Sequence, residues 1–180
     1  QECRRTWERE GEVLDYVTIT RMASEAKPFL AVIDPDAELF LKPGDMPARI
    51  AQFCQESGQQ VPSSKGELVR VALESLALKY KWTFEKLQEI RGGKLDTIHI
   101  VGGGGQNRLL SQFTANACGV PVIVGPYEAT ALGNILMQAI ATGELAGLSE
   151  AREVIRDSFG LETYTPEDTG AFDEAYKTFL

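Results

Sequence analysis

Histidine and cysteine are scarce in this sequence, which contains one histidine and three cysteines among 180 residues. The cysteines, Cys3, Cys54 and Cys118, are widely separated, and no two of them form a CxxC pair. An odd number at such spacing matches neither a disulfide scaffold nor a zinc site. The pattern therefore predicts a reducing compartment, and the cytoplasm is the expected location.

Long apolar runs are also missing. No run approaches the ~20 apolar residues that a helix needs to cross a bilayer. The first ten residues, QECRRTWERE, have no apolar core of the kind that a signal peptide contains. We therefore expect no membrane partner. The chain opens without methionine, on what has the pattern of a helix interior, and this predicts a part of a longer protein.

Basic residues are outnumbered, with 18 Lys and Arg against 26 Asp and Glu. The net charge is -8 and the isoelectric point is about 4.8. An acidic chain repels the phosphate backbone, so nucleic acid is not an expected partner. With 43% hydrophobic residues, the chain is long enough to form one domain with its own core.

The first half of the sequence has helical patterns separated by a loop. The clearest one opens where Ser64 and Glu67 have the spacing of a capping box and closes at Gly92. Pro28 interrupts the first one, and residues 28–45 predict a loop with one short strand. The predicted helices cover residues 1–26, 46–57 and 64–91.

The second half alternates short β-branched runs with helical patterns. This alternation predicts βαβ units and a parallel sheet. The predicted strands are residues 97–101 and 120–124. The predicted helices are residues 107–117, 128–142, 149–158 and 167–179.

Four consecutive glycines, residues 102–105, stand between the first of these strands and the following helix. Without a Cβ, the backbone can approach a ligand closely, and the start of a helix presents unpaired N–H groups. The loop is therefore predicted to seat the phosphate or ribose of a nucleotide. The alternative is a tight turn that merely needs glycine, for which one or two glycines would suffice.

Two common nucleotide loops do not fit these residues. A Walker A loop needs GxxxxGK[ST], which is missing here. The dinucleotide fingerprint GxGxxG fails because Asn107 or Arg108 occupies the place of its last glycine.

Catalytic triads and metal sites are not predicted. The single histidine, His99, lies in the middle of a strand that we expect to be buried, which disfavours a nucleophile–histidine pair. Asp34 and Asp36 flank a proline in a pattern typical of a turn. We assign no catalytic residue and no metal ligand from the sequence.

Residues 98–145, IHIVGGGGQNRLLSQFTANACGVPVIVGPYEATALGNILMQAIATGEL, resemble the C-terminal signature of the FGGY carbohydrate kinases. Within that family the sequence looks most like the rhamnulokinases. Residues 67–92, ELVRVALESLALKYKWTFEKLQEIRG, also resemble the long helix that precedes the signature there. The resemblance covers nearly the whole chain.

This resemblance implies an α/β fold of the actin-like, ribonuclease-H-like kind, present here in part, with helices packed on a small sheet. Family members have two domains with ATP in the cleft between them. Residues 1–180 would then be the C-terminal nucleotide-binding domain of a longer kinase. Gly103 is the best single candidate for an ATP contact, Asn107 is a candidate for the sugar or base, and Gln1 matches an ATP-contacting glutamine. The full set of implied nucleotide-binding residues is Gly102, Gly103, Gly104, Gly105, Asn107 and Gln1.

For the whole protein, the resemblance implies Mg²⁺-dependent transfer of a phosphoryl group from ATP to L-rhamnulose. The family's catalytic aspartate and sugar-binding residues lie in the part of the chain before Gln1. The expected partner is therefore the N-terminal domain of the same kinase, and the 180 residues alone are expected to be inactive. Two alternatives stay open: another FGGY kinase, similar to xylulokinase or fuculokinase, and a nucleotide-binding domain without catalysis. Some members join a cysteine near Cys54 to one in the long helix, where Val71 stands here, so this bond is not expected.

Overall fold

Nine α-helices and three short strands make up residues 1–180, all of which the computed structural model describes. The helices are α1 (Glu2–Arg9), α2 (Tyr16–Glu25), α3 (Glu38–Leu41), α4 (Met46–Glu56), α5 (Lys65–Arg91), α6 (Arg108–Cys118), α7 (Ala129–Ala141), α8 (Leu148–Ser158) and α9 (Thr169–Phe179). The strands are β1 (Ile98–Ile100), β2 (Val122–Val124) and β3 (Glu162–Tyr164). A 3-10 turn, Gly103–Gln106, lies between β1 and α6.

The long helix α5 is the element around which the others pack. Its capping box is formed, because the Ser64 hydroxyl accepts from the Glu67 N–H at 3.2 Å and the Glu67 carboxylate accepts from the Ser64 N–H at 3.3 Å. Gly92 ends the helix with φ at +69°. The helix has 27 residues, each of which adds about 1.5 Å to its length. This length allows it to contact α2, α4, α6 and α9. The predicted helix over residues 64–91 is confirmed.

The sheet has the order β1-β2-β3. β1 and β2 are parallel, with Ile100 opposite Val124, and α6 connects them. β3 returns antiparallel to β2 and places Glu162 opposite Val124. The predicted parallel pair is confirmed, whereas β3 was not predicted. One edge of β1 has no partner strand.

Three apolar clusters hold these elements together. The largest lies between α5, α6 and α9 and contains Leu78, Phe113 and Phe172. A second lies under α4 and contains Cys54 and Val71. The third lies beneath the sheet, where Ala115 of α6 meets Val122 and Val124. None of the helices is both long enough and apolar enough to cross a membrane.

Residues 1–26 form two helices, so the prediction of one continuous helix is wrong. Gly11 adopts φ of +92° between them, in the left-handed region that interrupts a helix. Asp15 then starts α2, because its carboxylate accepts from the Thr18 N–H at 2.7 Å.

The short strand predicted within residues 28–45 is also wrong. Side chains occupy the backbone groups that a neighbouring strand would need. Gln59 accepts from the Val32 N–H at 2.8 Å, and the Ser75 hydroxyl accepts from the Ile33 N–H at 3.0 Å. The segment is therefore fixed to Gln59 and to Ser75 of α5, and it continues into α3.

The thiols of Cys54 and Cys118 are expected to resist alkylation in the folded protein. Both are free, and burial raises the pKa of Cys118 to about 12 and also raises the pKa of Cys54. Little thiolate, the reactive form, is then present. Mass spectrometry after iodoacetamide treatment at about pH 8 should show neither residue modified until denaturant is added. Rapid labelling of Cys118 in the native protein would contradict this placement.

Candidate functional site

The glycine loop leaves the sheet where β1 and β2 end. The Gly125 N–H donates to the Ile100 carbonyl at 2.8 Å, and the Gly102 N–H donates to the Pro126 carbonyl at 3.3 Å. Gly102 has φ of +78°, which a residue with a side chain rarely adopts. The loop therefore begins with a sharp turn fixed by the segment that follows β2.

The later glycines of the loop have different surroundings. A Cβ on Gly105 would lie 2.4 Å from Cγ1 of Val124, so glycine is needed there for packing. A Cβ on Gly103 or Gly104 would meet no atom of the chain within 4 Å. Both are exposed, and their lack of a side chain leaves room for another molecule rather than for the core.

Two neighbouring backbone donors in this loop have no partner. The Gly105 N–H donates to the Gly102 carbonyl at 3.2 Å, and the Asn107 N–H donates to the Gly104 carbonyl at 3.4 Å. The N–H groups of Gly103 and Gly104 donate to no acceptor in the chain. Adjacent free N–H groups before a helix are suited to binding an anion such as phosphate.

Asn107 has a structural task that the sequence analysis did not assign. Its side-chain oxygen caps α6 by accepting from the Leu110 N–H at 3.1 Å. Its amide nitrogen donates to no acceptor in the chain and stays available to a ligand. Gln1 is exposed before α1, which packs against α4, and its side chain makes no hydrogen bond. The packing partner of α1 is α4, not β1 or α6, the two elements that flank the loop.

A cavity of about 310 Å³ opens beside the loop, between β1, α6 and the second half of α5. Gly104 forms part of its wall. Its apolar lining consists of Tyr80, Phe84, Leu87, Ile98, Ile100 and Leu110. The free donors of the loop therefore lie next to an apolar recess, a combination typical of ligand sites.

A polar cluster lies at the same end of the sheet. Arg108 donates from Nη2 to Oε1 of Glu162 at 2.5 Å, and the Tyr164 hydroxyl donates to Oε2 of Glu162 at 2.5 Å. The bonds from Tyr164 and Arg108 hold the pKa of Glu162 below its usual value. Burial and the bond to Glu162 raise the pKa of Tyr164 to about 12. Sequence reasoning missed this cluster, because Glu162 and Tyr164 lie on the strand that it did not predict.

His99 is exposed, so its predicted burial is wrong. β1 is an edge strand, and Ile98 and Ile100 pack on the third cluster while His99 points to the opposite face. Its imidazole makes no hydrogen bond with any serine, cysteine or carboxylate of the chain, so a triad is not assembled. No group of three or more His, Cys, Asp or Glu side chains is placed to hold a metal ion.

Residues 1–142 match the model of the FGGY family of carbohydrate kinases, C-terminal domain. The loop, the parallel strand pair and the flanking helices are thus those of an actin-like ATPase fold found in sugar kinases. The chain belongs to the FGGY family of carbohydrate kinases.

Curated relatives are similar over nearly all of this chain. It is 41% identical to a rhamnulokinase of Bacteroides thetaiotaomicron over 99% of the chain and 36% of that protein. It is 45% identical to a rhamnulokinase of Enterococcus faecalis over 92% of the chain and 34% of that protein. The chain therefore spans about a third of the length of the curated relatives it matches.

Solved structures support the same fold at low sequence identity. The xylulose kinase of Rhodospirillum rubrum superposes with a TM-score of 0.63 at 18% identity, over 91% of this chain and 32% of that one. The glycerol kinase of Plasmodium falciparum, solved with ADP, superposes with a TM-score of 0.65 at 15% identity, over 98% of this chain and 34% of that one.

Proposed function

We propose that this chain is the nucleotide-binding C-terminal part of an L-rhamnulose kinase. The whole enzyme would convert ATP and L-rhamnulose to ADP and L-rhamnulose 1-phosphate. The observation that carries the proposal is the pair of free N–H groups at Gly103 and Gly104, beside an apolar recess. We take the sugar substrate from the names of the relatives, which are rhamnulokinases. The free cysteines agree with a cytoplasmic location.

Within the proposed site, the residues of this chain bind and orient the nucleotide. The N–H groups of Gly103 and Gly104 would donate to phosphate oxygens, with the positive end of the α6 dipole behind them. The amide of Asn107 would donate to the ribose or base. Phosphoryl transfer depends mainly on such positioning and on electrostatic stabilisation.

Mg²⁺ would neutralise phosphate charge in the proposed reaction. No cluster of potential metal ligands exists in residues 1–180. Mg²⁺ is usually held by one or two carboxylates together with substrate phosphates. We therefore propose only that the ion enters the site with the nucleotide, and we assign it no ligand among residues 1–180.

The partner that we propose is the N-terminal remainder of the same kinase. Several surfaces of this chain lack a cover: the free edge of β1, with its unpaired backbone groups, the apolar recess beside it, and α7, which has no buried residue. On α7, Ile135 is 61% exposed and Met137 is 54% exposed. Because exposed apolar surface of this extent marks interaction sites, these surfaces are suited to contact with the rest of the protein.

A substrate panel on the full-length protein tests the proposed activity. ADP release with Mg²⁺ and ATP should be fastest with L-rhamnulose and slower with D-xylulose, L-fuculose or glycerol. A preference for another of these sugars would remove the assignment to L-rhamnulose. Absence of activity on all of them, together with retained ADP binding, would favour a nucleotide-binding domain without catalysis.

Gly103→Val in the full-length kinase should raise the KM for ATP by about tenfold or more. A β-branched side chain would fill the space that the ligand needs, and a hydrogen bond to a charged group contributes about 1.5–3 kcal/mol. Because that Cβ meets no atom of the chain, the loss of stability should stay below about 1 kcal/mol.

The matched control for this variant is Gly105→Ala. Its Cβ would clash with Val124, so it should destabilise the fold by about 1–3 kcal/mol through overpacking. Thermal unfolding and initial rates distinguish the two effects. An unchanged KM for ATP in Gly103→Val would mean that the loop is only a turn.

A further inference from the structure

Arg108 is the single Lys or Arg between Lys94 and Arg152. It is also the first residue of α6, directly after the 3-10 turn of the glycine loop. In a chain with a net charge of -8, a nucleotide polyphosphate is repelled from most of the surface. The one cation of this long segment therefore lies where the proposed site needs positive charge.

The sheet fixes where the guanidinium lies. Ile100, Val124 and Glu162 are opposite one another across the three strands. The glycine loop begins two residues after Ile100, so Glu162 lies at the same end of the strands as the loop. Arg108, bound to Glu162 through Nη2, is held at that same end of the sheet.

The guanidinium has capacity left for a ligand. It offers five N–H donors, and the bond to Glu162 is the only hydrogen bond that it makes in the chain. Its side chain is 76% exposed. Arginine in such a position can bind phosphate through two parallel hydrogen bonds.

We propose that Arg108 is a further nucleotide-binding residue, which binds the polyphosphate beside the free N–H groups of Gly103 and Gly104. This inference rests on the proposed nucleotide site. Glu162 keeps the guanidinium at the edge of the loop in the absence of nucleotide, and the remaining donors bind the phosphates.

A purely structural role for the pair has less support. An exposed ion pair adds little stability, and other bonds already hold β3 and the segment after it. β3 pairs with β2 through its backbone. Gln112 donates to the Thr165 carbonyl at 2.8 Å, and Asn116 accepts from the Glu167 N–H at 3.1 Å.

The test uses the full-length kinase with Arg108→Gln, Arg108→Lys and, as a control of equal charge change, Arg152→Gln, an exposed residue of α8. Arg108→Gln should raise the KM for ATP and the inhibition constant of ADP by about tenfold. The inhibition constant of uncharged adenosine and the KM for L-rhamnulose should stay within about twofold. Arg108→Lys should recover part of the loss because it keeps the charge, and Arg152→Gln should resemble the wild type.

Glu162→Gln distinguishes phosphate binding by Arg108 from a purely structural role of the bond between Arg108 and Glu162. The glutamine oxygen can still accept from Arg108, and the local charge becomes more positive, so the KM for ATP should stay the same or fall. If Arg108→Gln and Glu162→Gln weakened the binding of ATP, ADP and adenosine equally, the pair would have a purely structural role, and the proposal would be overturned. An unchanged KM for ATP in Arg108→Gln would overturn it as well.

The proposed kinase activity can fail independently of this inference. If the wild-type protein phosphorylates no ketose, calorimetry with ADP still compares Arg108→Gln with the wild type. Weaker ADP binding with unchanged adenosine binding would support the role of Arg108, and equal ADP affinity would refute it.

Discussion

The 180-residue chain alone, incubated with ATP, Mg²⁺ and L-rhamnulose, is expected to release no ADP above the uncatalysed background. General-base catalysis contributes about 10²–10⁴ in rate, and substrate positioning contributes a further large factor. The chain offers neither a suitable base nor a sugar pocket at the glycine loop. Coupled measurement of ADP release, compared with the full-length kinase, checks this prediction.

The chemistry of Glu162 makes it unsuited to act as the base. It is the carboxylate nearest to Arg108 at the edge of the loop, and the bonds from Tyr164 and Arg108 lower its pKa. A base works best when its pKa lies near the operating pH, so a carboxylate with a lowered pKa is a poor proton acceptor. His99 is exposed but points to the sheet face opposite the third cluster.

Two controls accompany this experiment. Calorimetry should detect weak ADP binding by the chain, on the order of millimolar affinity, which shows that the fold and the loop are intact. His99→Ala in the full-length kinase should leave the rate unchanged. Phosphorylation of L-rhamnulose by a clean preparation of the chain would mean that the catalytic base lies within residues 1–180.

Replacing Glu74 by leucine should destabilise the chain by about 3–5 kcal/mol, the typical effect of removing one partner of a buried ion pair. Glu74 is 1% exposed. Its carboxylate accepts from Nε of Arg70 at 2.7 Å and from the Phe29 N–H at 2.8 Å. The variant would leave the Phe29 N–H without its acceptor and the largely buried Arg70 guanidinium without its counter-charge, although Nη1 would still donate to the Ala23 and Ser24 carbonyls.

The backbone at Phe29 adds to this effect. Phe29 has φ of +49°, a conformation that costs about 1–3 kcal/mol in a residue with a side chain. The bond to Glu74 and the edge-to-face contact with Phe172, with ring centres 4.9 Å apart, hold it there. Loss of Glu74 should therefore also loosen the segment between α2 and α3.

Thermal and urea unfolding of three variants checks this prediction. Glu74→Gln should cost less than Glu74→Leu, because burial raises the pKa of Glu74 and a neutral amide avoids the cost of burying a charge. Glu89→Leu is the control on the same helix. Its partner bond to Lys86 is exposed, so the change should stay below about 1 kcal/mol. A stability of Glu74→Leu equal to that of the control would contradict the importance of this bond.

The elements with strong local signals could be predicted from the sequence. The capping box of Ser64 and Glu67 and the glycine at 92 fixed α5 at both ends, because these signals act through neighbouring backbone groups. The glycine loop was also evident, since four glycines after a β-branched run have few other uses. Which of these glycines face open space and which one faces Val124 could not be predicted, because that depends on the packing of β2.

Features that depend on distant residues were missed or wrongly predicted. The burial of His99 was inferred from its apolar neighbours, but burial of both faces of a strand needs cover on both sides, which β1 lacks here. β3 has three residues, two of them exposed, and it exists because β2 offers it a partner. The bond between Arg108 and Glu162 joins residues 54 positions apart. Local sequence patterns cannot predict a contact between residues so far apart in the chain.

Because α9 follows α5 and α6 in the chain, the largest apolar cluster can be completed only after both of these helices have been synthesised. Phe172, Ala175 and Tyr176 complete the largest cluster, and Tyr176 also donates to Glu85 at 2.7 Å across 91 positions. Until residues 169–179 have been synthesised, the apolar groove between α5 and α6 lacks its cover. A premature stop codon ahead of Phe172 would leave that groove permanently bare, and chaperones and proteases act on chains in such a state.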